Sequence, residues 1–445
     1  MQSSVVLWSP IATRKLVVKN LLITLNLPKG RYMPKFQYID LFTGCGGLSL
    51  GLYLSRYWQG LFAIEKDENA FKTLSFNLIQ QRSHFDWVSW LPQTSHDIDE
   101  VLTKYEANLK SLTGRVHLVA GGPPCQGFSF AGRRKKNDLR NQMMHSYLRL
   151  VELVRPKIIF FENVEGFNVG FKKNINQKTH SHIERGEAYS VILLRKLKKL
   201  GYTDATFKII NFSDFGVPQE RERFIIVATT FGKASQFFEK LEKRRLLFLQ
   251  SKGLPLKKIT IQDAISDLLR KHGTIPSPDS LGFDAGVYGT TKLSPYQRLM
   301  KSGCSLPQPD SHRFARHRPS TVEKFTKIIE KNMTPREIRE GFASNKANTS
   351  LLRGNKPSPT LTTLPDDHIH YEEPRILTVR EYARIQSFPD YYEIKGKYTT
   401  GGNRRTKEVP RYSQIGNAIP PLFGEFCGIL LGELLDESNA TTLTI

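Results

Sequence analysis

The 445-residue chain has few of the residues that build disulfide frameworks or metal sites. Its cysteines number four, and none forms a C-x-x-C pair or lies near a pair of histidines: Cys45, Cys125, Cys304 and Cys427. A disulfide scaffold and a zinc site are therefore not expected, and reduced thiols in an intracellular protein fit the pattern better.

Long apolar runs, repeats and low-complexity segments are also missing. No run reaches the roughly 18 consecutive apolar residues of a membrane span. The N-terminal stretch "VVLWSPIATRKLVVKNLLITLNLPKG" is interrupted by Arg14, Lys15 and Lys19, and no small-residue cleavage site follows it. We therefore expect neither a membrane anchor nor a signal peptide.

Acidic residues are the scarcer charged type. Lys and Arg total 65 against 42 Asp and Glu, which gives a formal net charge of +23. An excess of this size favours nucleic acid as a partner, because its phosphates release counterions when a basic surface binds them. An anionic membrane is the competing partner, but no long basic amphipathic helix supports it.

Short β-rich runs alternate with helical stretches from residue 37 to about 232. The runs are "YIDLF", "GLFAIE", "VHLVAGG", "PKIIFFENV", "ATFKIINF" and "RFIIVAT". The alternation predicts an α/β domain with a mostly parallel, doubly wound sheet, which binds ligands at the carboxyl ends of its strands.

The alternation stops near residue 232, and this sets the predicted domain boundaries. We expect an N-terminal extension over 1–36, a first domain over 37–232, a smaller irregular domain over 233–355, and a C-terminal segment over 356–445 that returns to the first domain. Met33 lies just upstream of the first predicted strand, so residues 1–32 could also be a mis-assigned start. "RILTVREYARIQSFP" and "PPLFGEFCGILLGELL" predict the helices of the last segment.

A glycine turn and an acid follow the first two predicted strands. In "DLFTGCGGLSLGL" the strand ends at Phe42, and three glycines then lead into a helix. Such a turn lets a ligand approach the backbone, although it also serves helix packing alone. Glu65 ends the next strand where an acid would bind ribose hydroxyls, or it caps the helix "KDENAF".

A thiol and a carboxyl follow two further strands. A cysteine beside an apolar run, as in "VHLVAGGPPCQGFSF", is most often a small buried hydrophobe. Here "IIFFENV" brings Glu162 to the same sheet edge as Cys125, so the two groups can converge. "PQERERF" places Arg221 and Arg223 on one face, where they could hold an anion or form ordinary surface pairs. "SHRFARHRPS" fits phosphate contacts or a solvated surface.

Taken in order, the stretches "DLFTGCGG", "IEKDENA", "GGPPCQGFS", "FFENVEGF", "QERERFIIVA", "REYARIQSFP" and "QIGNAIPP" resemble the motifs of bacterial-type DNA cytosine-5 methyltransferases. The resemblance covers 37–232 and 350–433. It implies a Rossmann-like domain that uses S-adenosylmethionine, with S-adenosylhomocysteine as product, and a target-recognition domain over 233–355. The substrate would be double-stranded DNA with the cytosine flipped out.

The resemblance also implies a role for each matching residue. The catalytic residues would be Cys125, Glu162, Arg221 and Arg223. The donor would be bound by Phe42, Gly44, Cys45, Gly46, Gly47, Leu48, Glu65, Lys66, Asp97, Ile98, Pro124, Asn417 and Ala418. DNA would meet Gln126, Ser129, Arg133 and Arg316. Lys66 departs from the family pattern, in which an apolar or aromatic residue often lies beside the adenine.

The implied chemistry suits these residue types. Carbon 5 of cytosine is a weak nucleophile, and a thiolate that adds at carbon 6 converts the ring into a reactive enamine. Glu162 would protonate the ring nitrogen, and the arginines would favour the thiolate of Cys125. We expect a monomer without metal or membrane partner, located with the nucleoid in a bacterial cytoplasm and serving restriction-modification or a related defence.

Three alternatives stay open on the sequence. An RNA cytosine-5 methyltransferase of the same fold would keep the thiol and the glutamate, but its relatives are shorter between 233 and 350. A non-catalytic DNA-binding relative would be expected to have lost Cys125 or Glu162. A nicotinamide oxidoreductase would share the sheet and the glycine turn, but would have no use for "PPCQ" or "QERER".

Overall fold

The computed structural model describes residues 36–124, 139–168, 188–289, 292–342, 349–399 and 408–442. Its centre is a six-stranded sheet made of β1 Phe36–Leu41, β2 Trp58–Ile64, β3 Leu118–Gly121, β4 Ile158–Val164, β5 Asp204–Asn211 and β6 Glu222–Thr229, in the order β2-β1-β3-β4-β6-β5. Within this sheet β6 alone runs antiparallel to the other five strands. The predicted α/β class and the mostly parallel sheet are confirmed.

Helices cover both faces of the sheet. One face packs against α1 Gly47–Ser55, α7 Ala234–Ser251 and α14 Pro421–Thr442. The other packs against α3 Ile98–Lys104, α4 Glu106–Lys110, α5 Leu139–Val154 and α6 Tyr189–Lys199. Helix α2 Glu68–Leu74 follows β2 and continues as a π-helical turn, Ser75–Gln80. Alternate strand residues point to opposite faces, so each apolar strand supplies two cores.

By length and composition alone the last helix is long and apolar enough to cross a membrane, because a stretch within 411–440 has a mean hydropathy of 1.5. However, 94% of that stretch is buried inside the protein. Two acidic residues, Glu425 and Glu433, interrupt its apolar sequence and form ion pairs with Lys252 and Arg244. This helix is therefore a core element that packs against α1 and α7.

A second lobe of short elements follows α7. It contains α8 Ile261–Ile265, β7 Thr274–Pro276, β8 Asp284–Gly286, α9 Pro295–Lys301, α10 Pro319–Glu330, α11 Pro335–Gly341, β9 Ser350–Leu351 and β10 His368–Ile369. Helix α7 lies within the range expected for the target-recognition domain, but it packs against β5, β6 and α14. The irregular part of the chain therefore begins after Ser251.

The C-terminal segment joins the two lobes through α12 Val379–Ile385 and α13 Arg411–Asn417. Thr378 and Glu381 form a capping box at the start of α12, as the helical pattern predicts. Arg384 of this helix is fully buried and bonds to Asp390 and to Asp267 of the second lobe. A buried, paired guanidinium of this kind fixes one arrangement of the lobes, because removing either partner would leave an unpaired charge.

Candidate active site

The glycine turn between β1 and α1 has an open side and a packed side. A Cβ atom at Gly44 would meet no heavy atom within 4 Å. A Cβ at Gly46 would lie 2.8 Å from the Tyr392 hydroxyl, and one at Gly47 would lie 2.3 Å from the Ile419 carbonyl oxygen. Gly44 therefore borders free space, whereas Gly46 and Gly47 admit the C-terminal segment.

Glu65 fastens this turn to the end of β2. Its carboxylate accepts hydrogen bonds from the backbone N–H of Gly44 at 2.9 Å and of Asp67 at 2.8 Å. The cap of α2 is Asp67, whose side chain accepts from the N–H of Ala70. Glu65 is therefore not a helix cap. Burial raises its pKa, although the two backbone N–H groups oppose the shift.

Lys66 and Asp97 form an ion pair beside Glu65, with 2.6 Å between Nζ and Oδ2. The N–H of His96 donates to the Glu65 carbonyl oxygen at 2.7 Å, which aligns the two segments. Asp97 caps α3 by accepting from the N–H of Asp99, and Ile98 behind it is buried. The predicted donor residues after β2 and before α3 therefore lie side by side.

A buried acid lies beneath the turn. Oδ2 of Asp40 accepts from the hydroxyls of Thr43 at 2.7 Å and Ser49 at 2.5 Å. Its Oδ1 has no partner, although the residue is only 1% exposed. Burial raises the pKa of Asp40 to about 7; the two hydroxyls oppose this shift and the charge of Glu65 adds to it. The structure therefore places a readily titrated, buried carboxyl beneath the glycine turn.

Replacing Asp40 by Asn is expected to change how stability depends on pH. The raised folded-state pKa means that the stabilising contribution of Asp40 is complete below about pH 4 and is lost as pH rises through about 7. Relative to D40N, the wild type should lose free energy of unfolding across this window, by at most about 1.4 kcal/mol per pH unit. Urea titrations between pH 4 and 8 measure this difference. The exposed Asp86 provides the control D86N; parallel curves for D40N and wild type would contradict the assignment.

The chain after β3 passes close to the end of β4. A Cβ at Gly121 would lie 1.9 Å from the Leu41 carbonyl oxygen, and one at Gly122 would lie 1.8 Å from the Glu162 carbonyl oxygen. Only glycine fits at these two positions. Nδ2 of Asn163 donates to the Pro123 carbonyl oxygen at 3.2 Å and holds the segment there. Asn163 is a positioning residue that the sequence analysis did not single out, although it lies within "FFENVEGF".

Pro124 is exposed and is the last described residue of this segment. The predicted nucleophile Cys125 and the predicted DNA contacts Gln126, Ser129 and Arg133 lie outside the described residues. The segment leading to Cys125 therefore reaches the sheet edge where Glu162 lies.

Glu162 and Arg223 form a shielded ion pair at this edge. The distance from Nε of Arg223 to Oε1 of Glu162 is 2.9 Å, and their side chains are only 11% and 16% exposed. Strands β4 and β6 pair antiparallel, which brings these residues together from opposite directions. Burial raises the pKa of Glu162, and the charges of Arg223 and Arg221 counteract the shift. The carboxyl can therefore exist protonated, and a guanidinium is in place to stabilise it once ionised.

Arg221 is more deeply buried than Arg223 and chiefly holds the C-terminal segment in position. Its terminal nitrogens donate to the carbonyl oxygens of Leu361 at 3.2 Å and Gly416 at 2.9 Å. It therefore influences Glu162 through its charge, whereas Arg223 contacts that carboxylate directly. Both arginines belong to the site, but in different roles.

Two buried glutamines connect the motifs and were missed from the sequence. Oε1 of Gln219 accepts from the N–H of Leu361 at 2.9 Å, and its Nε2 donates to Oε1 of Gln386 at 3.0 Å. Nε2 of Gln386 donates in turn to the Ile415 carbonyl oxygen at 2.9 Å. The sequence signal for Gln219 and Gln386 is their position inside the motifs "PQERER" and "ARIQSFP".

The C-terminal segment closes on the glycine turn after α13. The Cβ of Ala418 lies 3.3 Å from the position a Cβ would take at Gly47. Asn417, the last residue of α13, is exposed. Phe42, with φ of 55°, and the buried Leu48 flank the turn. Ala418 from the C-terminal segment therefore lies next to the glycine turn that Phe42 and Leu48 flank.

Two of the described thiols, Cys45 and Cys427, are buried and unsuited to nucleophilic attack. Cys45 is fully buried, its Sγ lies 3.5 Å from the Gln414 carbonyl oxygen, and burial raises its pKa to about 12. Burial also raises the pKa of Cys427. Among the described residues no group of three or more His, Cys, Asp or Glu side chains could hold a metal ion. If Cys45 borders the donor, it does so through its backbone.

Comparisons with known proteins agree with this geometry. A family model described as C-5 cytosine-specific DNA methylase matches residues 36–428. The chain is 30% identical over 400 residues to the Type II methyltransferase M.DdeI of Desulfomicrobium norvegicum, covering 87% of this chain and 86% of that one. It is 27% identical over 406 residues to M.XorII of Xanthomonas oryzae, covering 88% and 83%. A prophage-encoded E. coli protein described as a DNA modification methyltransferase superimposes with a TM-score of 0.59 at 22% identity, covering 90% of this chain and 99% of that one.

Fold and family model together define a Rossmann-like methyltransferase. The chain belongs to the C-5 cytosine-specific DNA methylase family. Its activity is that of a DNA (cytosine-5)-methyltransferase, as the ordered motifs led us to expect, and family membership implies dependence on S-adenosylmethionine.

Proposed function

We propose that this protein transfers a methyl group from S-adenosylmethionine to carbon 5 of a cytosine flipped out of a specific duplex DNA sequence. The observation that carries the proposal is the shielded Glu162–Arg223 pair, which lies where the segment leading to Cys125 meets the end of β4. The relatives named above are Type II methyltransferases. We therefore assign the enzyme to a restriction-modification or related defence system in a bacterial cytoplasm.

The residues around the glycine turn fit the proposed donor. S-adenosylmethionine carries a sulfonium and an ammonium group besides its carboxylate, and the ionised forms of three acids near the turn complement the two positive groups: Asp40, Glu65 and Asp97. The unpartnered Oδ1 of Asp40 is buried at the end of β1, and the free space at Gly44 lies in the turn that follows. When bound, the donor supplies an electrophilic methyl group. In our proposal the turn holds its methionine end, Glu65 its ribose, and Asp97 with Ile98 its adenine.

The proposed mechanism uses a thiolate and a carboxylic acid. The thiolate of Cys125 adds to carbon 6 of the cytosine, and a carbon–sulfur bond forms while Glu162 gives its proton to the ring nitrogen. Arg223 stabilises the resulting carboxylate and can donate to the ring carbonyl oxygen. Carbon 5 would gain the methyl group as the methyl–sulfur bond of the donor breaks, which would leave S-adenosylhomocysteine as the second product, and carbon 5 then loses its proton to a base. The carbon–sulfur bond then breaks, the ring nitrogen returns its proton to Glu162, and the free thiolate is restored.

Duplex DNA is the proposed substrate because of the charge and the second lobe. The net charge of +23 provides non-specific attraction for the phosphates. The exposed Arg316 lies in the second lobe, and Gln126, Ser129 and Arg133 follow the proposed nucleophile in sequence. The lobe would read sequence while the sheet edge performs the chemistry.

Bisulfite sequencing tests this proposal directly. DNA from a methylation-deficient bacterial host that expresses the protein should show protected cytosines in one recurring sequence, and DNA from an uninduced culture should show none. Methyl uptake from labelled S-adenosylmethionine should favour duplex DNA over tRNA. Uptake confined to tRNA would instead identify an RNA cytosine-5 methyltransferase. If the expressed protein is soluble and folded but the host DNA shows no protected cytosines, the proposed DNA activity is refuted.

A further inference from the structure

The hairpin β7–β8 ends in a loop with an unusual apolar residue. This loop, Ser277–Phe283, carries Leu281, whose relative exposure is 102%. The other exposed large apolar residues of the described chain reach at most 50%, at Leu256. A leucine this exposed gains almost no burial free energy within the folded chain, so its whole apolar surface is available to a ligand.

The loop is held rigidly despite its exposure. The carboxylate of Asp279 accepts from Arg411 at 2.6 Å, from the Tyr398 hydroxyl at 3.0 Å and from the Ser277 hydroxyl at 3.1 Å. The N–H of Ser277 donates to the Phe283 carbonyl oxygen at 2.8 Å and closes the loop. Leu281 is therefore presented from a fixed base, which lowers the entropy lost on binding.

Stacked cations flank the leucine. The guanidinium of Arg313 lies between the rings of Phe283 and Tyr398, at 4.2 and 3.8 Å from their centroids. That of Arg316 lies 4.8 Å from the Phe283 ring and 3.4 Å from the position a Cβ would take at Gly282. Arg316 is exposed. An apolar tip next to an exposed guanidinium suits a ligand that offers both stacked bases and phosphates.

The loop is connected to the side of the molecule that carries the candidate site. Arg411, which binds Asp279, begins α13, and its Nε donates to the Gly396 carbonyl oxygen at 2.8 Å. The neighbouring Val409 donates its N–H to Asp67 at 3.0 Å, just after Glu65 at the carboxyl end of β2. These hydrogen bonds tie the loop to the carboxyl end of β2, on the same edge of the sheet as Glu162 at the end of β4.

We infer that the loop Ser277–Phe283 is a DNA-contacting element in which Leu281 inserts between bases near the target cytosine while Arg316 contacts a neighbouring phosphate. This inference rests on the proposed duplex substrate. Inserted apolar side chains unstack a base step, and the energy lost there is recovered through contacts that the deformed DNA allows. Because flipping also requires local unstacking, a wedge beside the target would lower the barrier to base extrusion.

The variants L281S, L281M and R316Q test the two roles separately. The probe is a short duplex that carries the sequence identified by bisulfite mapping, with 2-aminopurine next to the target cytosine. We expect L281S to weaken binding about tenfold and to reduce the 2-aminopurine fluorescence gain, with an unchanged salt slope. L281M should restore both. R316Q should lower the slope of log affinity against log salt by about one.

The controls separate failure of this inference from failure of the proposed function. The variant L246S changes another exposed leucine, on α7, and should behave as wild type. If wild type neither binds nor methylates the duplex, the proposed function fails. If wild type binds and methylates the duplex and L281S matches it in affinity and fluorescence, only the insertion of Leu281 between bases is refuted. If L281S instead alters self-association in sedimentation and leaves DNA binding unchanged, the loop is an interface between copies and the inference is wrong.

Discussion

Replacing Cys125 by Ala should abolish methyl transfer, with a loss on the order of 10⁴-fold or more in rate. Without the thiolate, carbon 5 of the cytosine stays too weak a nucleophile to accept a methyl group. Neither of the buried thiols could take over, because burial raises the pKa of Cys45 to about 12 and also raises that of Cys427. Tritiated-methyl transfer to duplex DNA measures the loss.

The control for this prediction is Cys304→Ala. Cys304 is partly exposed in the second lobe and has no role in the proposed mechanism, so its variant should keep full activity. The Cys125→Ala protein should also keep its affinity for duplex DNA and its thermal midpoint, because the substitution removes only one sulfur atom. If the Cys125→Ala protein still transferred methyl groups near the wild-type rate, the assignment of Cys125 as the nucleophile would be wrong.

The sheet and its ligand edge could be predicted because they depend on local patterns. Alternate apolar residues define the strands. A glycine turn after β1 and an acid after β2 mark the place where Gly44 donates a hydrogen bond to Glu65. The capping box of Thr378 and Glu381 likewise marks a helix start in sequence. Each of these features involves residues close together in the chain or placed by the sheet itself.

The second lobe also contains local helix signals that do not depend on an apolar period. Three of its short helices begin with a capping box, at Thr260, Ser294 and Thr334. Each pattern has the form S/T-x-x-D/E/Q, and it marks a helix start even where no apolar period follows. The lobe looked irregular because its helices are too short to display amphipathic repeats.

The bracing of the site could not be predicted from local patterns. Arg221 bonds to the carbonyl oxygens of Leu361 and Gly416, and Gln219 bonds to Gln386; these partners are separated by 140 to 195 residues. Backbone carbonyl oxygens are present at every position, so no residue type marks them as partners. A buried arginine inside a motif therefore looks catalytic in sequence even when its hydrogen bonds are structural.

Replacing Glu162 by Gln should lower the single-turnover rate of methyl transfer by about 10²- to 10⁴-fold, the usual contribution of a positioned general acid. Glutamine keeps the shape of the side chain, but it cannot give a proton to the ring nitrogen. Burial raises the pKa of Glu162, so the protonated form persists to higher pH than for an exposed glutamate. In the wild type the rate should rise as the Cys125 thiol ionises and fall as Glu162 loses its proton.

The pH profile distinguishes this role from a merely structural one. If Glu162 is the acid, the falling high-pH limb should disappear in E162Q, while the rising limb that reports the thiol remains. The matched control is E220Q, which removes the same charge from an exposed glutamate that pairs with Lys258. E220Q should keep both limbs and the wild-type rate. An E162Q profile that is lower but unchanged in shape would show that Glu162 only positions Arg223, and the proton must then come from another group.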